Sequence, residues 1–173
     1  MKKLLAPVHI GILALWATVA MADGGGINLQ FKPFAGSLKR EEVNVRAGPG
    51  TRYPVLWIFQ RTGWPVRVLA QYDNWLKIRD IEGEEGWVYL NMVSSQKTAV
   101  VSGGEPAVMY KDAAQSKAIF RLSQGVVVKV ESCGQLQCEV EVQGSDGWLA
   151  KDRLIAFSEE LATTDAVVSP TAE

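Results

Sequence analysis

Between Leu38 and Phe157 the chain alternates with a period of two. Val66, Val68 and Ala70 fall on one side of a pleat, with Arg67 and Leu69 on the other. Val126, Val128 and Val130 alternate in the same way with Val127 and Lys129, and Lys77-Ile78-Arg79 and Glu139-Val140-Glu141-Val142 repeat the pattern. This is the signature of half-buried strands, whose successive side chains point to opposite faces. Turn clusters separate the runs: Gly48-Pro49-Gly50, Asp73-Asn74, Glu82-Gly83-Glu84, Gly103-Gly104, Gly134-Gln135 and Gly144-Ser145-Asp146-Gly147. No amphipathic helical stripe of useful length interrupts them. The pattern predicts an all-β protein of short strands closed as small barrels or a sandwich.

The alternation is also repeated along the chain. Gly63-Trp64-Pro65-Val66-Arg67-Val68 has a counterpart in Gly125-Val126-Val127-Val128-Lys129-Val130, 62 positions on. Gly83-Glu84-Glu85-Gly86-Trp87-Val88 has one in Gly144-Ser145-Asp146-Gly147-Trp148-Leu149, 61 positions on. Two units follow, 38–95 and 98–157, with one deletion in a hairpin loop. A unit of about 60 residues buries only about 60% of its unfolded surface. The two units are therefore expected to pack together.

The ends of the chain read differently. Met1-Lys2-Lys3, an apolar run and Ala20-Met21-Ala22 make 1–22 a secretory signal peptide. The apolar run is short for a membrane span, so no span is expected after cleavage. Residues 23–37, with three consecutive glycines, read as a flexible N-terminal arm, and 158–173 as a disordered tail. Export to the periplasm or beyond is the implied location.

Cleavage changes the chemistry of the remaining chain. Loss of Lys2 and Lys3 moves the formal charge from −1 to −3, which leaves no basic footprint for nucleic acid. His9, the one histidine of the sequence, leaves as well. A histidine-free chain has no Ser-His or Cys-His nucleophile pair and no histidine metal ligand. Neither a cofactor nor a metal is expected.

Cys133 and Cys138, in CGQLQC, fall at a predicted hairpin tip. Opposed non-hydrogen-bonded positions on antiparallel strands lie about 4.5 Å apart at Cα, within the reach of a disulfide. An oxidising compartment favours that bridge. The alternative, a redox-active pair, lacks the CxxC spacing that lowers a thiol pKa.

Gly48-Pro49-Gly50 between Arg46 and Arg52 has two readings. A phosphate cradle needs GxxxxGK[ST] and a following helix, and neither is present. A tight turn accounts for all three residues. Asn44 and Arg46 alternate with Val43 and Val45, so they point outward, where they are expected to tie down the following loop.

Val43-Asn44-Val45-Arg46, Gly48-Pro49-Gly50-Thr51 and Tyr53-Pro54 resemble the opening of a bacterial Src-homology-3-like (SH3b) domain. Gly63-x-x-Val66-x-Val68, Asn74-Trp75-Leu76-Lys77-Ile78 and Gly86-Trp87-Val88 continue that pattern in order. The second unit keeps Gly125-x-x-Val128-x-Val130, Cys138-Glu139-Val140 and Gly147-Trp148-Leu149. It lacks the Asn-x-Arg and Gly-Pro-Gly, and has Gln137 in place of Trp75. The resemblance implies two tandem SH3-like small β-barrels, of five to six strands each. It also implies binding rather than catalysis, with cell-wall peptide or glycan, or an envelope protein, as partner. The second unit is expected to be mainly structural or partner-docking.

The first unit is rich in aromatic residues. Tyr53, Tyr72, Trp75 and Tyr89 fall at loops or strand ends and, with Arg52, form the candidate binding face, because flat rings offer contact area at low entropy cost. Trp87 and Trp148, each following a repeated glycine (Gly86, Gly147), are expected to be structural. Glu41, Glu42, Glu82, Glu84 and Glu85 are the carboxylates a glycan hydrolase would need, but polar hairpin tips normally leave such groups solvated. The expectation is an exported, non-enzymatic binding module. A pure protein–protein adaptor is the alternative, and a carboxylate-based wall hydrolase a third reading.

Overall fold

Alternating apolar residues form short strands that bury one face each. The computed structural model describes residues 31–157; the expected signal peptide (1–22), the expected tail (158–173) and residues 23–30 of the expected arm lie outside the described residues. The first unit comprises β1 (Phe34–Leu38), β2 (Glu42–Arg46), β3 (Val55–Gln60), β4 (Pro65–Tyr72), β5 (Trp75–Asp80), β6 (Glu85–Tyr89) and β7 (Val93–Ser94). They form one antiparallel sheet in the order β3-β2-β6-β5-β4-β1-β7. The second unit repeats this with β8 (Thr98–Val101), β9 (Ala107–Tyr110), β10 (Ala118–Leu122), β11 (Val127–Cys133), β12 (Gln137–Val142), β13 (Ser145–Ala150) and β14 (Leu154–Ile155). Its order, β10-β9-β13-β12-β11-β8-β14, is the same topology. A single 3-10 turn precedes the last strand of each unit, at Leu90–Met92 and Lys151–Arg153.

Each unit has its own core. Val43 and Val45 from β2, Val66 and Val68 from β4, Ile78 from β5 and Val88 from β6 are fully buried in the first. Met109, Val128, Val140 and Leu149 hold the matching places in the second, with both cysteines. Cys133 and Cys138 are Cα partners across β11 and β12 and form a disulfide, with Cα atoms 4.0 Å apart.

Two expectations are corrected. Residues 34–37 are not part of a loose arm: Phe34–Leu38 is β1, paired with β4 on one side and β7 on the other. It is the counterpart of β8, so the first unit begins before Leu38. The sheets accordingly have seven strands, more than the five to six implied by the resemblance. β1 escapes notice because FAGSL places glycine and serine at buried positions. Those residues are small for a reason. A Cβ on Gly36 would run into the backbone carbonyl oxygen of Ser94 on β7.

The units touch where packing was expected. The Arg61 guanidinium donates to the Gly125 carbonyl at 2.7 Å. A Cβ on Gly63 would come within 3.1 Å of Val127 Cγ1. The joint is pinned as well, since the Val130 N–H donates to the Lys97 carbonyl at 3.1 Å. Among the described residues no helix is long and apolar enough to cross a membrane.

Candidate ligand-binding face

Register decides which outward residues meet. On β5, Trp75, Lys77 and Arg79 alternate with the buried Leu76, Ile78 and Asp80. Cross-strand partners share a face, and the pairs Tyr72–Trp75 and Trp75–Tyr89 put three of the predicted aromatics in one row across β4, β5 and β6. Trp75 and Tyr89 meet edge to face, with ring centroids 5.6 Å apart and planes at 85°. Aromatic pairs favour that arrangement. Tyr89 remains 41% exposed.

The Gly-Pro-Gly loop closes the other side. Arg46 donates from Nη1 to the carbonyls of Tyr53 at 2.9 Å and Thr51 at 3.2 Å. This is the tying role expected of it. Asn44 differs: it is exposed and makes no side-chain hydrogen bond to the described residues. The Tyr53 ring lies so close to Gly48 that a Cβ there would fall 2.6 Å from it. Gly48 is thus required by the packing of Tyr53, and the loop is a turn wrapped on an aromatic ring. Arg52 lies over the same ring at 5.1 Å and donates to its hydroxyl at 3.3 Å. That hydrogen bond raises the Arg52 pKa, as does the nearby Tyr72 phenol more weakly.

Between the loop and the aromatic row opens a cleft of about 450 Å³, lined by Asn44, Arg46, Gly50, Thr51, Trp75 and Tyr89 among others. Of the five candidate residues, Trp75 and Tyr89 line it. Tyr72 stands next to Trp75 in the row, while Arg52 and Tyr53 stack on each other in the loop. Thr51 and Met92 also line the cleft and were not among the candidates, and Glu42, in the same wall, was named only as a carboxylate that a hydrolase would need. Nothing in a period-two pattern signals a residue such as Met92, which the 3-10 turn carries back toward β2.

The repeated Gly-Trp pair divides its roles. Gly86 is buried, and a Cβ there would collide with Val45 Cγ1. Gly147 is confined by Met109 Cε and the Tyr110 carbonyl, both 2.6 Å from its would-be Cβ. Trp87 and Trp148 point outward and are half-buried. Trp87 is the Cα partner of Arg46 and Lys77, and Trp148 of Tyr110 and Glu139. The glycine meets the core, while the tryptophan covers the outside of the sheet.

Two acidic residues of the first unit, Asp80 and Glu85, are engaged in structure. Asp80 is buried and accepts from the backbone N–H groups of Glu82 and Glu84, both at 2.9 Å. Glu85 accepts from Lys77 Nζ at 2.7 Å and from Arg79 Nε at 2.8 Å. Lys77 first, and Arg79 next, hold its carboxyl below the ordinary carboxylate value. A folded-state pKa below the unfolded one adds stability at pH above the unfolded value. That contribution disappears as pH falls through the folded value. The Glu85→Gln variant should therefore lose less stability than the parent on the acid limb of a pH series of urea midpoints. The difference should be small and should shrink in high salt, because the group is solvent-screened.

Solved structures of other proteins match part of the chain weakly. NlpC1 and NlpC2 from Trichomonas vaginalis each match at 14% identity and a TM-score of 0.33 over 71% of this chain, covering 45% and 48% of theirs. An NlpC/P60 family protein from Bacillus cereus matches at 12% identity and a TM-score of 0.34 over 69% of this chain and 55% of its own. The chain spans about half the length of these proteins. No curated protein matches it. The bacterial SH3 domain model matches twice, at residues 39–94 and 103–155, which hold β2–β7 of the first unit and β9–β14 of the second. The chain thus belongs to the bacterial SH3 domain family, as a tandem pair of such domains.

Proposed function

We propose that the protein is an exported, non-catalytic binding module of the bacterial cell envelope. Its first unit holds cell-wall peptide or glycan in the cleft between the Gly-Pro-Gly loop and the aromatic row. The observation that carries this reading is the pairing of Trp75 and Tyr89 as one wall of a cleft of about 450 Å³ whose other side bears Asn44 and Arg46. Such a site offers a ring face for sugar or aliphatic groups, and amide and guanidinium donors for carbonyls and carboxylates. The leader sequence and membership of the bacterial SH3 domain family support the location. The capping role of Asp80 and the ion pairs of Glu85 support the non-catalytic part.

Co-sedimentation of the purified protein with cell-wall sacculi tests it. Trp75→Ala and Tyr89→Ala should each weaken retention by about tenfold, the loss of roughly one stacking contact, with unchanged circular dichroism. Retention that ignores both substitutions would remove the cleft from the reading. Release of soluble wall fragments during incubation would overturn the non-catalytic assignment.

A specific observation favours an envelope protein as the partner instead. The edge strand β3 carries exposed Val55, Leu56 and Ile58 and no charged residue, whereas edges are commonly guarded by charge. Sacculi stripped of protein distinguish the two, since an adaptor would no longer be retained by them.

A further inference from the structure

β3 is a free edge of the first sheet. Among the described residues it pairs with β2 alone, so the main-chain groups on its other side are open to a further strand. Natural edges of this kind are commonly guarded by charge. The matching edge of the second unit is guarded: β10 carries exposed Arg121 and follows exposed Lys117. β3, Val55-Leu56-Trp57-Ile58-Phe59-Gln60, carries no charge. Ile58 is 47% exposed on the outer face, beside Asn44, its Cα partner on β2. Trp57 and Phe59 point to the inner face and are only partly buried against the core.

The same edge carries a knob and a hole. The register slips between the pairs Val45–Trp57 and Arg46–Val55, so Leu56 is the extra residue of a bulge. It stands 51% exposed. Trp57–Gln60 beyond it keep a regular register with β2. A recess of about 270 Å³ lies at that end of the strand, with Ile58, Phe59, Gln60 and Trp64 among its walls. Two-fold symmetry matches the two features. Opposed residues of an antiparallel pair share a face, so an axis at one residue sets the residue before it against the residue after it. An axis at Ile58 sets Ile58 against its own copy, and Trp57 against Phe59 of the second copy. It also sets Leu56 against Gln60 of the second copy, at the recess. Each copy offers its knob to the other's hole, which is the self-complementarity that a closed two-fold interface requires. A strand of unrelated sequence has no reason to match both.

We infer that two copies of this chain join through β3, edge to edge and antiparallel, about a two-fold axis at Ile58. The apolar edge leaves water, Trp57 and Phe59 of each copy cover those of the other, and the open main-chain groups gain partners. The two sheets then run on as one. Asn44, Ile58 and their copies form one cross-strand row, so the two Asn44 positions stand about 15 Å apart, three strand spacings. Where the cleft reading holds, both clefts open on that face and one polymer can be held twice. The pairing itself does not depend on that reading. It fills the β3 edge with a second copy rather than with an envelope protein.

Sedimentation velocity of the full chain from Asp23 onward, over a dilution series, tests this without any wall material. The parent should pass from monomer to dimer with a Kd on the order of 10 μM, that of a small interface. Ile58→Lys sets two like charges at the axis and should weaken association by about tenfold or more. Its melting temperature should hold, because Ile58 is exposed in the monomer. Ile58→Glu should behave in the same way. An equimolar mixture of the two variants should regain the dimer, because opposite charges then meet across the axis. Leu56→Asn, which removes the knob without adding charge, should also weaken association. Phe120→Lys on β10 should leave it intact. A parent that stays monomeric throughout overturns the inference and leaves the edge to an envelope protein. A dimer indifferent to Ile58→Lys and Leu56→Asn, or one broken by Phe120→Lys, overturns it too, as does a mixture that fails to reassociate. None of these outcomes bears on the cleft, which sacculus retention tests separately.

Discussion

Gly86→Ala is expected to destabilise the first unit by about 2–3 kcal/mol, near the upper end for overpacking a filled core. At roughly 4–8 °C per kcal/mol for a domain of this size, the melting midpoint should drop by about 10–20 °C. The new methyl would meet Val45 Cγ1, and Val45 is itself fully buried at the centre of β2. The Arg46 carbonyl oxygen, 3.2 Å from the same point, and the edge of Trp57, at 3.4 Å, restrict escape on the other sides. Relief requires β2 and β6 to separate where Arg46 and Trp87 are partners, and that is one wall of the cleft. Thermal unfolding followed by circular dichroism checks this. Gly104→Ala is the control, since nothing lies within 4 Å of its would-be Cβ and its φ is not positive. A Gly86→Ala midpoint as high as that of the control would refute the packing argument.

Reduction of Cys133–Cys138 should cost the second unit about 2 kcal/mol, the loop-entropy value for so small a ring. The bridge joins residues that are already Cα partners in the β11–β12 ladder. Its removal therefore frees the unfolded hairpin more than it disturbs the folded one. Melting with and without reductant, on protein shown by mass spectrometry to have no free thiol, measures the effect. The Cys133→Ala/Cys138→Ala double variant should behave like the reduced protein. An unchanged midpoint would show that the bridge contributes nothing beyond the strand pairing. Amide exchange should also quicken at Gly134–Gln137, the loop between the cysteines, before it quickens elsewhere in the unit.

These two sites show how differently the parts of the molecule could be read. The cysteine hairpin was legible because its contact is local: five positions separate the residues, and turn residues stand between them. The role of Arg46 was legible for the same reason, since the carbonyls it binds, on Thr51 and Tyr53, lie a few residues further along. Asn44, one pleat earlier on the same face, had equal claim to that role and instead lines the cleft. Alternation alone cannot separate two outward residues on one strand.

The β character of the chain, its duplication and the outward direction of Trp75 and Tyr89 follow from residue spacing, because side-chain direction along a strand repeats every two residues. Which strands become neighbours does not follow. The β1–β4, β2–β6 and β9–β13 pairings join residues distant in sequence, and they are chosen by how whole sheets close over Val45 or Met109. That closure made Phe34–Leu38 a strand despite its small residues. It also turned Gly86 rather than Trp87 to the core, and aligned Tyr72, Trp75 and Tyr89 beside a loop.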